Sequence, residues 1–332
     1  MQNYFHGYLM KGPMEIPLPL HRITVPTPFR VGDVNVYLWD EKPLTLIDTG
    51  PLTDEAKNSL MFALSKWGYD VNDIERVVLT HAHLDHSGLA PFIKERSGAS
   101  ISLHGDDIGI FENRIGVEDI SQMCYLIGLD RSMVDLIARY YGKMPQPTHS
   151  IKIDTRLHDG DHLRGSSGTD FIVIHCPGHS PGSISLYNAN SKCLISGDTL
   201  LKDITPNALF SWQIKGNQGL KRYKSTLNRL LEYDLDLVLP GHGEYLKGEG
   251  IKGRIRDILD HHEDREGEIL EIIKRKRTMT IYQISTELFG SLPVSEIPLS
   301  IFEVTGHLEI LENKGLIKSK EEGETIFYSA RS

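Results

Sequence analysis

Val77-Val78-Leu79-Thr80-His81-Ala82-His83-Leu84-Asp85-His86-Ser87-Gly88 is the stretch on which the reading of this chain turns. Its apolar start has the composition of a buried strand, and the run from Leu89 has that of a helix. Three imidazoles and one carboxylate are therefore confined to a single strand-to-helix loop. Imidazole and carboxylate are the ligands of zinc and similar borderline cations. His81 and His83, one residue apart, can reach one ion, while Asp85 and His86 can turn towards a second. The competing reading is a polar loop with chance histidines. With 15 His in 332 residues, so dense a pattern argues against it.

Outward from that loop the same arrangement recurs. Phe171-Ile172-Val173-Ile174 runs into Cys176-Pro177-Gly178-His179, where Gly178 permits a sharp turn. Lys192-Cys193-Leu194-Ile195 leads to Ser196-Gly197-Asp198, and Leu235–Leu239 leads to Pro240-Gly241-His242. Leu44-Thr45-Leu46-Ile47 ends in Asp48-Thr49-Gly50, a carboxylate that can cap the turn, support a metal site from behind, or do both. Strand-end loops converge on one edge of a sheet in α/β proteins. The candidate metal ligands are His81, His83, Asp85, His86, His179, Asp198 and His242. Five or six donors saturate one zinc, so these seven imply two divalent ions. One carboxylate must bridge them, and only Asp198 comes from outside the opening loop. Asp85 and Asp198 are also the candidate catalytic carboxylates.

The rest of the chain frames this set. Ile23-Val25 and Val34-Val36-Leu38 alternate as strands do, and residues 52–68 place Leu60, Ala63, Leu64 and Trp67 on one helical face. Strand hairpins followed by strand-helix alternation predict a mixed sheet covered by helices. Residues 105–150 break that rhythm as a helical insertion. Its Met123, Tyr125, Leu126, Met133, Ile137, Tyr140 and Tyr141 line an apolar substrate cleft or form plain helix-helix core. Hydrophobic content of 39% and charged content of 24% describe an ordinary globular chain, large enough for one large domain or two smaller ones. A net charge of −9 gives no bulk attraction for nucleic acid. Three widely spaced cysteines without a CxxC predict no disulfide framework and a reducing compartment. No signal peptide or bilayer-length apolar run is read, so the cytoplasm is expected and a membrane is not.

The ordered set resembles the metallo-β-lactamase superfamily. It matches HxHxDH from His81 to His86, the His of Cys176-Pro177-Gly178-His179, Gly197-Asp198, Gly241-His242, and the family's first motif in Leu46-Ile47-Asp48-Thr49-Gly50. The resemblance covers residues 19–250. It implies an α+β fold, the four-layer αββα sandwich of two mixed sheets with helices outside. It also implies one ion on His81, His83 and His179, the other on Asp85, His86 and His242, with Asp198 between them and Asp48 ordering the loop. Zinc is the expected metal; Fe and Mn accept the same donors. A hydroxide bridging the two cations would attack an electrophilic carbon or phosphorus. Many true β-lactamases of this superfamily carry Cys where this chain has Asp198. The Asp looks like the thioesterase, lactonase and phosphodiesterase branches. A β-CASP nuclease is disfavoured because no inserted domain lies between Asp198 and His242. The glutathione-thioesterase branch shares the ligands, but its basic C-terminal segment is not found.

Residues 254–332 change character. Three predicted helices, Arg254–Lys276, Thr280–Leu288 and Ile297–Asn313, precede a hairpin, an order that resembles a winged helix. A DNA-reading role conflicts with charge: 15 acidic against 10 basic residues between 256 and 332 give −5. The third helix bears Glu303, Glu309 and Glu312, whereas groove-reading helices are basic. Packing or homodimerisation is therefore expected, with nucleic acid not favoured as partner. The combination, including the stretch from Ile258 to Leu270, resembles the β-lactamase-like protein 2 branch. The expected plan is a hydrolase domain over 1–253 and a winged-helix-like domain over 254–332. The expected substrate is a small ester, thioester or lactone, supported by the insertion and by Ala208-Leu209-Phe210-Ser211-Trp212. The alternative raised by that branch is a phosphodiesterase or single-strand endoribonuclease.

Overall fold

The structure, a computed structural model, describes residues 16–112, 117–141, 152–208 and 218–331. Its first sheet takes β1 (Leu20–Val25), β2 (Val34–Trp39), β3 (Thr45–Ile47), β4 (Arg76–Val78) and β5 (Ser100–His104) in that order. β1 to β3 are antiparallel, whereas β3, β4 and β5 run parallel. Parallel pairing needs a crossover. It is supplied by α1 (Asp54–Lys66), then by α2 (Leu84–Ser87) and α3 (Ala90–Ser97). The chain then passes through α4 (Ile108–Glu112), α5 (Val117–Leu126) and α6 (Arg131–Tyr141) before β6 (Thr155–Leu157) joins the same sheet beside β5.

The second sheet is built from β7 (His162–Arg164), β8 (Asp170–His175), β9 (Ile184–Asn188), β10 (Cys193–Gly197), β11 (Leu237–Pro240) and β12 (Leu246–Lys247). It is antiparallel except between β10 and β11, which are joined over α7 (Gly219–Leu230). Side-chain alternation sorts the residues into layers. In β2, Val34, Val36 and Leu38 pack under α1 and α3, while Tyr37 and Trp39 lie between the sheets. In β10 and β11, Cys193, Ile195, Leu237 and Leu239 enter the inter-sheet core, while Leu194 and Val238 meet α7. With both faces buried, central strands read as unbroken apolar runs. The result is the four-layer αββα sandwich. One helical face differs from expectation. Leu60 and Leu64 are buried, but Trp67 caps α1, stays 49% exposed, and stacks on His21 at 3.6 Å.

α8 (Glu249–Lys276) runs through the expected boundary at 253/254 and serves both halves. Its Ile251, Ile255 and Ile258 cover the second sheet, and its Ile269, Ile272 and Ile273 join the core of the tail. β13 (Thr278–Thr280), α9 (Ile281–Phe289), α10 (Ile297–Asn313), β14 (Ile317–Glu322) and β15 (Thr325–Ala330) complete the chain, with strand order β13-β15-β14. Thr280 and Gln283 close a capping box at the start of α9. The insertion belongs to this tail core: Met123 and Ile137 are buried in it, and Tyr125, Leu126 and Met133 pack against it. For these residues, helix-helix core is the one of the two readings that the packing favours. The side chains of Tyr140 and Tyr141, and Leu209-Phe210-Ser211-Trp212, lie outside the described residues.

Candidate metal centre

Every ligand-bearing loop sits at one rim of the sandwich, and the two sheets share it. The first sheet contributes the loop after β4 and Asp48 after β3. The second contributes His179 between β8 and β9, Asp198 after β10 and His242 after β11. The sheets are stitched together at this rim. Asn35 N donates to Gly241 O at 2.6 Å, Tyr37 Oη to Pro240 O at 2.7 Å, and Ile184 N to Thr80 O at 2.8 Å. Gly241 is needed here, since a Cβ would lie 2.3 Å from Asp198 Oδ1 and 2.7 Å from His86 Cε1. Gly178, at φ +150, packs on the backbone of Tyr223, where a Cβ would come within 2.6 Å of Cα.

All seven sequence-predicted ligands are brought together. Donor atoms of His81, His83 and His179 lie within 4.8 Å of one another, as do those of Asp85, His86 and His242. Asp198 spans the two groups. Its Oδ1 lies 3.4 Å from His86 Nε2, and its Oδ2 lies 3.5 Å from His179 Nε2 and 3.6 Å from His242 Nε2. His81 Nε2 and His83 Nδ1 are 3.0 Å apart, and His242 Nε2 is 3.3 Å from Asp85 Oδ2.

The outward nitrogens explain why the inward ones are free. His86 Nδ1 donates to Asp48 Oδ2 at 2.8 Å, His179 Nδ1 to Asn207 O at 2.9 Å, and His242 Nδ1 to Asp33 O at 2.9 Å. Each acceptor is a carboxylate or carbonyl oxygen, so the proton must sit on Nδ1. Thr80 Oγ1 donates to Asp48 Oδ2 at 2.8 Å and so accepts from His81 Nδ1 at 3.1 Å. Fixing the tautomer from behind in this way is how proteins prepare imidazole for a cation. Inside, His179 Nε2 and Asp198 Oδ1 are buried with no hydrogen-bond partner. Unsatisfied buried polar atoms are costly, and convergent ones fit a metal ion. The donor set thus fits divalent cations.

Charge is distributed unevenly. Burial, reinforced by neighbouring imidazoles, pushes His81 well below the ordinary histidine range and His83 down to about 3. Burial also opposes a charge on His86, but Asp198, Asp48 and Asp85 outweigh it and raise that group. For Asp198 burial is likewise outweighed, by His86, His242 and His179, which hold the carboxylate well below its usual range.

One residue was missed from sequence. Asp107, fully buried, accepts from Ala82 N at 2.8 Å and Ser180 Oγ at 2.8 Å through Oδ2, and from Gly182 N at 2.5 Å through Oδ1. It ties the loop of His81 and His83 to that of His179. Its signal was present, since Leu103-His104-Gly105-Asp106-Asp107 is another strand end followed by Gly and carboxylate.

The profile of the Metallo-beta-lactamase superfamily matches residues 29–242. A relative in Bacillus subtilis (strain 168), named probable metallo-hydrolase YqjP, is 30% identical over 330 residues, covering 92% of this chain and 96% of the relative. A Beta-lactamase-like protein 2 homolog of Drosophila melanogaster is 24% identical over 257 residues, covering 77% of this chain and 74% of its own. The fold is shared with a metallo-beta-lactamase family protein of Thermus thermophilus, with a TM-score of 0.80, 24% identity, and coverage of 94% of this chain and 99% of that one. The family match spans more than half of the chain and ends at His242, the last of the converging ligands, so this protein belongs to the metallo-beta-lactamase superfamily and is a metal-dependent hydrolase.

Proposed function

We propose that the centre is dinuclear and hydrolyses a small ester, thioester or lactone. The observation that carries this reading is the convergence of imidazole nitrogens on Asp198, whose Oδ1 is buried and unpartnered. His81, His83 and His179 would hold one cation, Asp85, His86 and His242 the other, with Asp198 between. A nitrogen-rich set with carboxylates favours zinc and also accepts iron or manganese. Bound there, two divalent cations would supply an acidified water at neutral pH and a Lewis acid for the substrate oxygen. The remaining work belongs to the chain. Asp48 and Thr80 hold His86 and His81 in register, and Asp107 holds the two ligand loops together. Asp85 keeps 14% of its side chain exposed, and we assign it the role of accepting a proton from entering water. Burial works against its charge, but His86 and His242 keep it ionised.

Among the described residues, the hydrogen-bond and ion-pair partners of the seven ligands include no Lys or Arg. A neutral acyl carbonyl suits such a site better than a phosphodiester anion, which calls for further cationic groups. The tail follows the element order of a winged helix, and packing is the role we assign it. α10, the helix that would enter a groove, rests on α7: a Cβ at Gly306 would meet Leu220 Cβ at 3.1 Å, and Glu309 accepts from Gln218 N at 2.7 Å. A homodimer belongs to the same reading and is checked by the mass of the full chain in solution.

The test is a substrate panel on metal-loaded protein. Acyl thioesters and lactones should be cleaved, and bis(p-nitrophenyl) phosphate and single-stranded RNA should not. The reverse pattern would replace this reading with the phosphodiesterase one, which the likeness to Beta-lactamase-like protein 2 homologs keeps in the panel. Asp198→Ala should lower metal content and reduce kcat by about 100-fold or more. Full retention of both would remove Asp198 from between the ions.

A further inference from the structure

Among the described residues, two further groups of imidazole and carboxylate lie outside the centre. In the first, His104 and His175 stack at 3.9 Å and 14°, and His175 Nε2 already donates to Pro181 O at 2.9 Å. That nitrogen is also the one 3.9 Å from Asp106 Oδ2, and Asp106 is exposed, so the ring is already committed elsewhere. The second group lies where α8 crosses α10, and its geometry is different.

His261 and His262 are consecutive on α8, and Glu303 and His307, one turn apart on α10, face them. His262 and His307 are wholly buried, and 12% of the Glu303 side chain is exposed. His307 Nε2 lies 3.3 Å from Glu303 Oε1 and 3.4 Å from His262 Nδ1. His261 Nε2 lies 3.8 Å from the same Glu303 oxygen. Donor atoms of His261, His262 and Glu303 fall within 4.8 Å of one another.

Hydrogen bonding alone accounts poorly for this cluster. Separations of 3.3 and 3.4 Å exceed the usual N–H···O or N–H···N length. Donors around a tetrahedral zinc, each roughly 2.0–2.1 Å from the ion, stand roughly 3.4 Å apart. His262 Nδ1 and His307 Nε2 face each other, but His262 Nε2 and His307 Nδ1 are buried without a partner, so each ring keeps one polar atom unsatisfied. Arg265 does not settle the carboxylate either, because its Nε stops 3.9 Å from Glu303 Oε1 and has no hydrogen-bond partner.

We propose that His261, His262 and Glu303, whose donor atoms converge, form a separate structural metal site backed by His307, taking a zinc-like divalent cation that clamps α10 to α8. Two imidazoles and one carboxylate select a borderline transition cation over Mg²⁺ or Ca²⁺. The donors come from two packed helices at their crossing, which makes the role structural. The clamp lies beside α7, where the Tyr223 ring stands edge-on to His262 at 6.0 Å, so an ion there fastens the tail to the hydrolase half.

The probe is zinc on the full-length protein. After saturation and removal of excess metal, elemental analysis should find one more equivalent in wild type than in Glu303→Gln/His307→Gln. His261→Gln gives a second reading that survives any folding defect in the buried double variant, because 39% of that side chain is exposed. It should weaken one zinc equivalent by about tenfold or more in chelator competition while the tighter equivalents stay unchanged. It should also reduce the zinc-dependent rise in Tm. Equal zinc content in wild type and a folded double variant, or unchanged affinities in His261→Gln, overturns the site.

Discussion

Asp48 has φ +60, in the left-handed region that a non-glycine residue occupies at a cost of roughly 1–2 kcal/mol. The strain is held by what the carboxylate reaches: Thr80 N at 2.7 Å, Thr80 Oγ1 at 2.8 Å and His86 Nδ1 at 2.8 Å. The two sequence readings of Asp48, turn former and support for the metal loop, turn out to be one arrangement. Asp48→Ala frees His86 to rotate and to exchange tautomers. Its expected effect is a loss of roughly 10–100-fold in metal affinity with secondary structure intact. Chelator competition and circular dichroism check this together, and unchanged affinity would mean that His86 needs no such support. Asp107 acts differently, because its hydrogen bonds go to the backbone of Ala82 and Gly182 and to the Ser180 hydroxyl, not to a ligand side chain. Asp107→Asn replaces one acceptor oxygen by a donor facing Ala82 N, Ser180 Oγ or Gly182 N. The variant should lose ~1–3 kcal/mol of stability, measured by denaturant unfolding, and a neutral result would assign the loop geometry to other contacts.

Among the elements, α8 joins the two halves. At 28 residues it is about 42 Å long, and its apolar positions change partners along its length. Ile251, Ile255 and Ile258 are fully buried on the second sheet, so the hydrolase half is incomplete without the first turns of a helix that ends in the tail. Truncation after Gly250 removes all three, at roughly 2–5 kcal/mol for each buried branched side chain lost. The shortened protein should therefore be insoluble or unfolded, not a working core. Solubility and thermal melts read this directly, and a truncated chain that melts like wild type would contradict the shared role of α8. The charged look of residues 254–276 hid that role. A helix with one apolar stripe reads the same in sequence whether the stripe meets one partner or two. The insertion was ambiguous for a similar reason, since apolar spacing reveals a buried face but not what covers it.

At the scale of the molecule, the tail is bound to the hydrolase half by Glu266 as well as by apolar packing. Its carboxylate receives Lys224 of α7 at 2.8 Å and Lys314, just past α10, at 2.5 Å. Burial opposes ionisation of Glu266, but the two ammonium groups outweigh it and hold the carboxyl below its ordinary value of 4.5. A depressed acid stabilises the fold above its unfolded pKa, and that contribution is lost as pH falls through the lower folded value. Glu266→Gln should therefore cost ~1–3 kcal/mol at pH 7, with the gap to wild type closing below about pH 4. Unfolding curves across that range test the sign, and a gap independent of pH would rule out ion pairing as its cause. Among the described residues, no helix is long and apolar enough to cross a membrane.

The candidate ligand set was legible in sequence because its members cluster at the ends of short apolar strands, with Gly beside His179, Asp198 and His242, and such local patterns need no partner to be recognised. Apolar runs bounded by Gly turns marked a mixed sheet covered by helices, whereas the αββα layering was implied by the family resemblance of the motifs. What sequence left open depended on residues far apart in the chain. Asn35 bonding to Gly241, Asp33 holding His242, Asp107 joining two loops and the insertion covered by the tail are pairings that no local pattern encodes. The loop from His81 to His86 already read in sequence as part of a larger site; only the tertiary structure decided how the rest reaches it, because His179, Asp198 and His242 arrive from a second sheet packed against the first.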